Sequence, residues 1–338
     1  DAIAWFLHTF RMPLFFTVAG FFAALLLARR GMAGLFRNRG ARVLLPLLIF
    51  LPLLTLSMHW LTDNAVESVN QLSPLLSWLR DYRAQHGELP SLPGWLHLWF
   101  LFYLLLFTVL VWVISALELG AVGAWLAKLP VLALPLALPL LQAPVLAWVS
   151  VPWPAPEFLL PSLWALLYFG SYFALGFLLY RHTALLDRWR RFAPWVLLAA
   201  VIAYALLFWL SNGLRNFDTT PLQHFSFALL QACTGFWLTL WCLLAAQRWL
   251  HSRSAGMRWL ADASYWVYLV HLPVLFALQY RLLDWPLHWA LKFVMATAAT
   301  FALCLLSYQL LVRHSVIGRL LNGSTPAHRR AENAVSAV

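Results

Sequence analysis

Histidine and arginine can move a proton and hold developing negative charge, and in this sequence several of them stand inside long apolar runs. His8 and Arg11 occur in HTFRMPLFFTVAGFF (8 to 22), and their spacing puts both on one face of a helix. Pro13 in that run supplies no N–H to the Thr9 carbonyl, so the turn keeps an extra acceptor. His271 lies midway along YWVYLVHLP with Tyr268 one turn before it, and His97 opens HLWFLFYLL between Trp95 and Trp99. Arg37, Arg39 and Arg42 gather before Pro46, and their planar, permanently charged groups suit phosphate oxygens of lipids or of a nucleotide-bearing cofactor.

Each group also has a structural reading. Arg11 can snorkel to headgroups beside an interfacial His8, His271 can be a neutral histidine bonded to a neighbouring helix, and His97 fits an aromatic belt. Acyl transfer needs a base for a hydroxyl proton and donors for an oxyanion, roles that histidine and arginine can fill. There is no P-loop, no dinucleotide-type glycine fingerprint and no HExxH, so ATP-driven transport and zinc proteolysis lack support. Cys233, Cys242 and Cys304 have no metal-ligand spacing, and no metal is expected.

The elements that position these groups are membrane helices. Apolar residues make up 63% of the 338 and charged residues 10%, beyond what a soluble core can hide. Runs of about 20 apolar residues, enough to cross a hydrocarbon layer, recur near 2 to 28, 43 to 61, 95 to 117, 131 to 150, 158 to 180, 194 to 211, 224 to 247, 262 to 281 and 288 to 312. The expected fold is an all-α, polytopic transmembrane bundle of nine spans. Lys and Arg crowd into alternate loops, whereas the intervening loops hold only Arg80, Arg83, Arg215 and Arg281. That bias predicts an outside start and a cytoplasmic C-terminus, and it explains the net charge of +11 without nucleic acid.

Pro130, Pro135, Pro139 and Pro144 predict a kinked or broken fourth span whose freed carbonyls need neighbours or water. The loop at 62 to 94 mixes charges with Trp78 and Leu pairs, which fits an interfacial helix over the bundle. Residues 1–323 read as one membrane domain and 324–338 as a disordered cytoplasmic tail. The chain opens on Asp with no basic leader, so a further segment is expected upstream.

HTFRMPLFFTVAGFF resembles the early-span signature of the acyltransferase 3 family of membrane O-acyltransferases. NRGARVLLPL (38 to 47), WLHLWFLFYLLL (95 to 106) and ASYWVYLVHLP (263 to 273) are similar to further stretches of that family, in its order. With VRHSVIGRLLNG (312 to 323) they most resemble its glucan-modifying branch. The resemblance implies a ten-helix protein of a bacterial inner membrane that passes an acetyl- or succinyl-type group from cytoplasmic acyl-CoA to a glycan hydroxyl. Its other implied partners are membrane lipids and the glycan acceptor. Family members carry an Arg and a His about ten residues apart on the first helix, and no segment here matches it, so that base and the tenth span are expected upstream of Asp1. The resemblance carries a supporting role to His8 and Arg11 and a site-proximal role to His97 and His271; together with the residue chemistry above, the expected site is His8, Arg11 and His271 in supporting catalytic roles, His97 and Tyr268 at the substrate, and Arg37, Arg39 and Arg42 at the donor. Ala19 departs from the family's usual Ser. The rival reading is a transporter or flippase of a glycan or lipid-linked substrate, which would explain intramembrane ionisable groups without acyl chemistry.

Overall fold

Backbone polar groups in a bilayer must be satisfied within the chain, and a helix does this segment by segment. The computed structural model describes residues 2–90, 94–116, 133–150, 153–213, 219–249 and 254–322, and among them helices and their connections occur without a strand. The loop expected at 118 to 130 and the tail expected at 324 to 338 lie outside the described residues.

Helix α1 (Ala2–Arg39) is interrupted at Gly31, whose φ of 66° is left-handed and costs glycine little. A π-helical turn, Gly40–Leu44, leads into α2 (Leu45–Ser68), and α3 (Pro74–His86) follows. A 3₁₀ turn, Leu96–Leu98, opens α4 (Trp99–Ala116). Next come α5 (Ala133–Leu146), α6 (Leu163–Arg181), α7 (Ala184–Arg190), α8 (Ala193–Leu210) and α9 (Pro221–Trp249). The last are α10 (Ala255–Leu283), α11 (Trp289–Ser307) with its π-helical end Tyr308–Val312, and α12 (Val316–Asn322).

Seven helical stretches among the described residues are long and apolar enough to cross a membrane. The expected count of nine is not reached on this measure, for two reasons. The first two expected spans are counted as one stretch, Ala2–Ser68, across the kink at Gly31, and of the proline-bearing fourth only the 14 helical residues Ala133–Leu146 are among the described residues. Large apolar side chains stand outward, with Leu56 68% and Trp209 76% exposed, a surface suited to lipid rather than water. The protein is a multi-pass membrane protein.

The chain divides into two compact units, one of Asp1–Arg37 with Tyr103–Ser252, the other of Asn38–Phe102 with Arg253–Val338. In the first, α1 and α6 approach through reciprocal glycines. A Cβ on Gly20 would strike the Phe173 carbonyl, and one on Gly176 would strike that of Thr17. Phe16, Phe107, Phe169 and Phe173 pack around this crossing. Within α5, Pro139 removes the donor that the Pro135 carbonyl would have received, and Trp237 Nε1 of α9 donates to that carbonyl at 2.9 Å. The expected interruption is therefore answered by a neighbour. Buried Gln142 on α5 donates to Ser171 Oγ at 2.6 Å and accepts from the Tyr172 hydroxyl at 3.3 Å.

In the second unit, the loop expected over the bundle holds the amphipathic α3. Leu76 and Leu79 pack against Ala65, Val66 and Val69 at the end of α2. Arg80 Nη2 donates to the carbonyls of Val66 at 2.6 Å and Val69 at 2.9 Å, capping α2 and carrying it to Ser68, past the expected end at 61. Arg83 pairs with Glu67 at 2.9 Å. Asp284, just past α10, accepts from the backbone N–H groups of Asn70 at 2.9 Å and Gln71 at 2.7 Å. The N–H groups hold its carboxyl below its ordinary value, that of Gln71 most strongly.

Candidate functional site

Two prolines in the second unit prepare the polar contacts of this site. Pro273 in α10 leaves the Leu269 carbonyl without its helical donor, and Pro46 at the start of α2 does the same to the Arg42 carbonyl. Carbonyls released in this way accept from side chains that the apolar sequence could not otherwise satisfy.

Around Pro273, the structure joins three of the residues singled out in the sequence. His97, on the 3₁₀ turn before α4, places Nε2 2.9 Å from the Tyr268 carbonyl, and the Leu269 carbonyl is also within its reach. The Tyr268 hydroxyl donates back to the His97 carbonyl at 2.7 Å. His271 Nδ1 lies 2.9 Å from the Tyr268 carbonyl and 3.1 Å from that of Val267. The two imidazole rings meet edge to face with centroids 5.0 Å apart.

A carbonyl oxygen only accepts, so in the neutral imidazoles these contacts fix both tautomers. His97 carries its proton on Nε2 and His271 carries its proton on Nδ1. The opposite nitrogens, Nδ1 of His97 and Nε2 of His271, are bare acceptors. His97 Nδ1 is buried with no hydrogen-bond partner among the described residues. The polar groups of Tyr268 are turned to the two histidines, so Tyr268 organises them.

Around Pro46, the Tyr265 hydroxyl donates to the freed Arg42 carbonyl at 2.6 Å, tying α10 to the π-helical turn. Arg39 lies within electrostatic reach of the same tyrosine. Tyr265 was not among the singled-out residues, although it stands in the quoted ASYWVYLVHLP. The signal was Pro46 itself, because a proline four residues after Arg42 announces an acceptor in search of a donor. Arg37 is exposed and belongs to the first unit.

His8 and Arg11 also belong to the first unit. His8 is half-buried and its ring meets Trp5 edge to face at 5.4 Å, whereas Arg11 is exposed. The Thr9 carbonyl freed by Pro13 approaches Gly235 of α9, where a Cβ would lie 3.0 Å from it and 3.0 Å from the Tyr168 hydroxyl. No group of three or more His, Cys, Asp or Glu able to hold a metal occurs among the described residues.

Comparison with known proteins converges on one family. Residues 2–309 match the acyltransferase 3 family, described as an acyltransferase domain. Glucans biosynthesis protein C of Salmonella schwarzengrund (strain CVM19633) is 24% identical over 344 residues, covering 98% of this chain and 86% of the relative. The proteins of that name from Salmonella typhi and Salmonella typhimurium (strain LT2) are similar to the same degree. No solved structure matches the chain.

Proposed function

Because the chain belongs to the acyltransferase 3 family and is an acyltransferase, we propose that it transfers an acyl group from acyl-CoA to a hydroxyl of an envelope or periplasmic glycan. The observation that carries this reading is the family match over residues 2–309, nearly the whole chain. Similarity to glucans biosynthesis protein C along 98% of the chain supports a glucan or related glycan as acceptor. The acyl group is of the acetyl or succinyl type.

The reaction exchanges a thioester for an oxygen ester. The acceptor O–H breaks, its oxygen bonds the acyl carbon, the carbon–sulfur bond breaks, and CoA leaves as the thiol with the proton. The family resemblance supports assisting roles in this exchange for His8 and Arg11, and site-proximal roles for His97 and His271. Arg39 and Arg42, with Arg37, suit the phosphates of acyl-CoA, since guanidinium groups pair with phosphate oxygens in a fork. The Lys and Arg bias supports a cytoplasmic side for these arginines and for the C-terminus, and the family resemblance supports a bacterial inner membrane as the location.

Purified protein in liposomes, supplied with acetyl- or succinyl-CoA and a glucose oligosaccharide, tests the reading. The expected result is donor-dependent ester formation. Sugar moving across the bilayer without CoA release would favour the transporter instead.

A further inference from the structure

We infer that His97 and His271 form a subsite for two neighbouring hydroxyls of a sugar, each imidazole accepting one hydroxyl proton in a hydrogen bond through its bare nitrogen. The inference rests on the reading of a glycan as the acyl acceptor.

The geometry selects what this pair can bind. Both histidine N–H groups are committed to the Tyr268 carbonyl, one at 2.9 Å from Nε2 of His97 and one at 2.9 Å from Nδ1 of His271. The pair therefore offers acceptors and no donors. A phosphate or carboxylate, which only accepts, finds nothing to bond here. A hydroxyl donates, and adjacent hydroxyls on one sugar ring present two donors side by side. The ring centroids are 5.0 Å apart, so the two free nitrogens sit on adjacent rings, as two neighbouring hydroxyls sit on one sugar. His97 Nδ1 is already buried and without a partner, so its desolvation is complete before the ligand arrives.

The surroundings suit a sugar as well. The Tyr268 ring lies 5.4 Å from that of His97 and 6.2 Å from that of Phe100, so aromatic rings border the two acceptors. Tyr268 is the positioning residue. Its carbonyl fixes both tautomers and its hydroxyl holds the His97 backbone at 2.7 Å.

Amide substitutions separate the free nitrogens from the bonds that hold the rings. His97→Gln keeps an N–H for the Tyr268 carbonyl while removing Nδ1, and His271→Asn keeps an N–H for Val267 and Tyr268 while removing Nε2. In the full chain, each should raise KM for a linear glucose oligosaccharide roughly tenfold, the loss of one hydrogen bond, with KM for the acyl donor unchanged. Mono-deoxy forms of the oligosaccharide supply a second measurement on the unsubstituted protein. The form lacking the partnered hydroxyl should bind roughly tenfold more weakly, and adding the matching substitution should cost nothing more. Variants that bind the intact oligosaccharide as the unsubstituted protein does, or that lose affinity equally for every deoxy form, would overturn the subsite alone. Unsubstituted protein that neither binds nor esterifies the sugar would overturn the glycan reading with it.

Discussion

The sharpest chemistry at the scale of single residues is the sharing of one carbonyl by two histidines. His97 and His271 were visible in the sequence as titratable groups in apolar runs, and the signature around each was legible. What could not be read is that residues so far apart in the chain meet at Tyr268, because periodicity within one helix says nothing about which neighbour it faces. Tyr265 tells the same story at the Arg42 carbonyl. Tyr265→Phe leaves the Arg42 carbonyl without the hydroxyl that reaches it at 2.6 Å, so about 1–3 kcal/mol of local stability should be lost. The measurable outcome is weaker binding of acyl-CoA with acceptor KM unchanged; loss of acceptor binding instead would contradict the assignment. Replacing Arg37, Arg39 and Arg42 together should likewise raise the donor Kd and spare the acceptor.

Among the elements, close helix packing holds the first unit together and capping the second. Gly20 and Gly176 let α1 and α6 meet backbone to backbone, which is the requirement in lipid, where burial of apolar surface gives no drive for association. Gly176→Ala places a methyl against the Thr17 carbonyl, and overpacking of this kind should cost on the order of 2 kcal/mol or more. Thermal unfolding in detergent would show it as a lower Tm, whereas Gly256→Ala, where a Cβ meets nothing within 4 Å, should leave Tm unchanged. The lengths of the apolar runs located most membrane helices and missed several ends. The expected end of the second span at 61 failed because Arg80, from the following helix, caps the carbonyls of Val66 and Val69 and extends α2 to Ser68.

Asp284 gives the same region a pH dependence. Its folded-state pKa lies below the ordinary 3.8, chiefly through the N–H of Gln71, so its contribution is present at neutral pH. That contribution falls away only in acid, as pH drops through the depressed folded value. Hydrogen exchange at the amides of Asn70 and Gln71 should stay slow from neutral pH down to that acidic window. Asp284→Asn should accelerate exchange at neutral pH, and unchanged rates would contradict the carboxylate's role.

Across the whole molecule, composition and charge bias were enough to identify a polytopic helical membrane protein, and five quoted stretches in family order were enough to anticipate the family. The number of crossings was less legible. An apolar run does not reveal where its helix breaks, and the stretch Ala2–Ser68 is interrupted at Gly31 rather than in a polar loop. The expected orientation has a direct test. A cysteine placed at Gln85 should react with a membrane-impermeant thiol reagent added outside the cell, and one placed at Arg188 should react only after permeabilisation; the reverse pattern would invert the orientation.

The central claim concerns where the acyl group goes. Purified protein given acyl-CoA labelled in its acyl group and a glucose oligosaccharide should transfer label into a base-labile ester on the sugar, with one CoA thiol released per ester formed. Thiol release with no label on the sugar, or label on the sugar without thiol release, would contradict it.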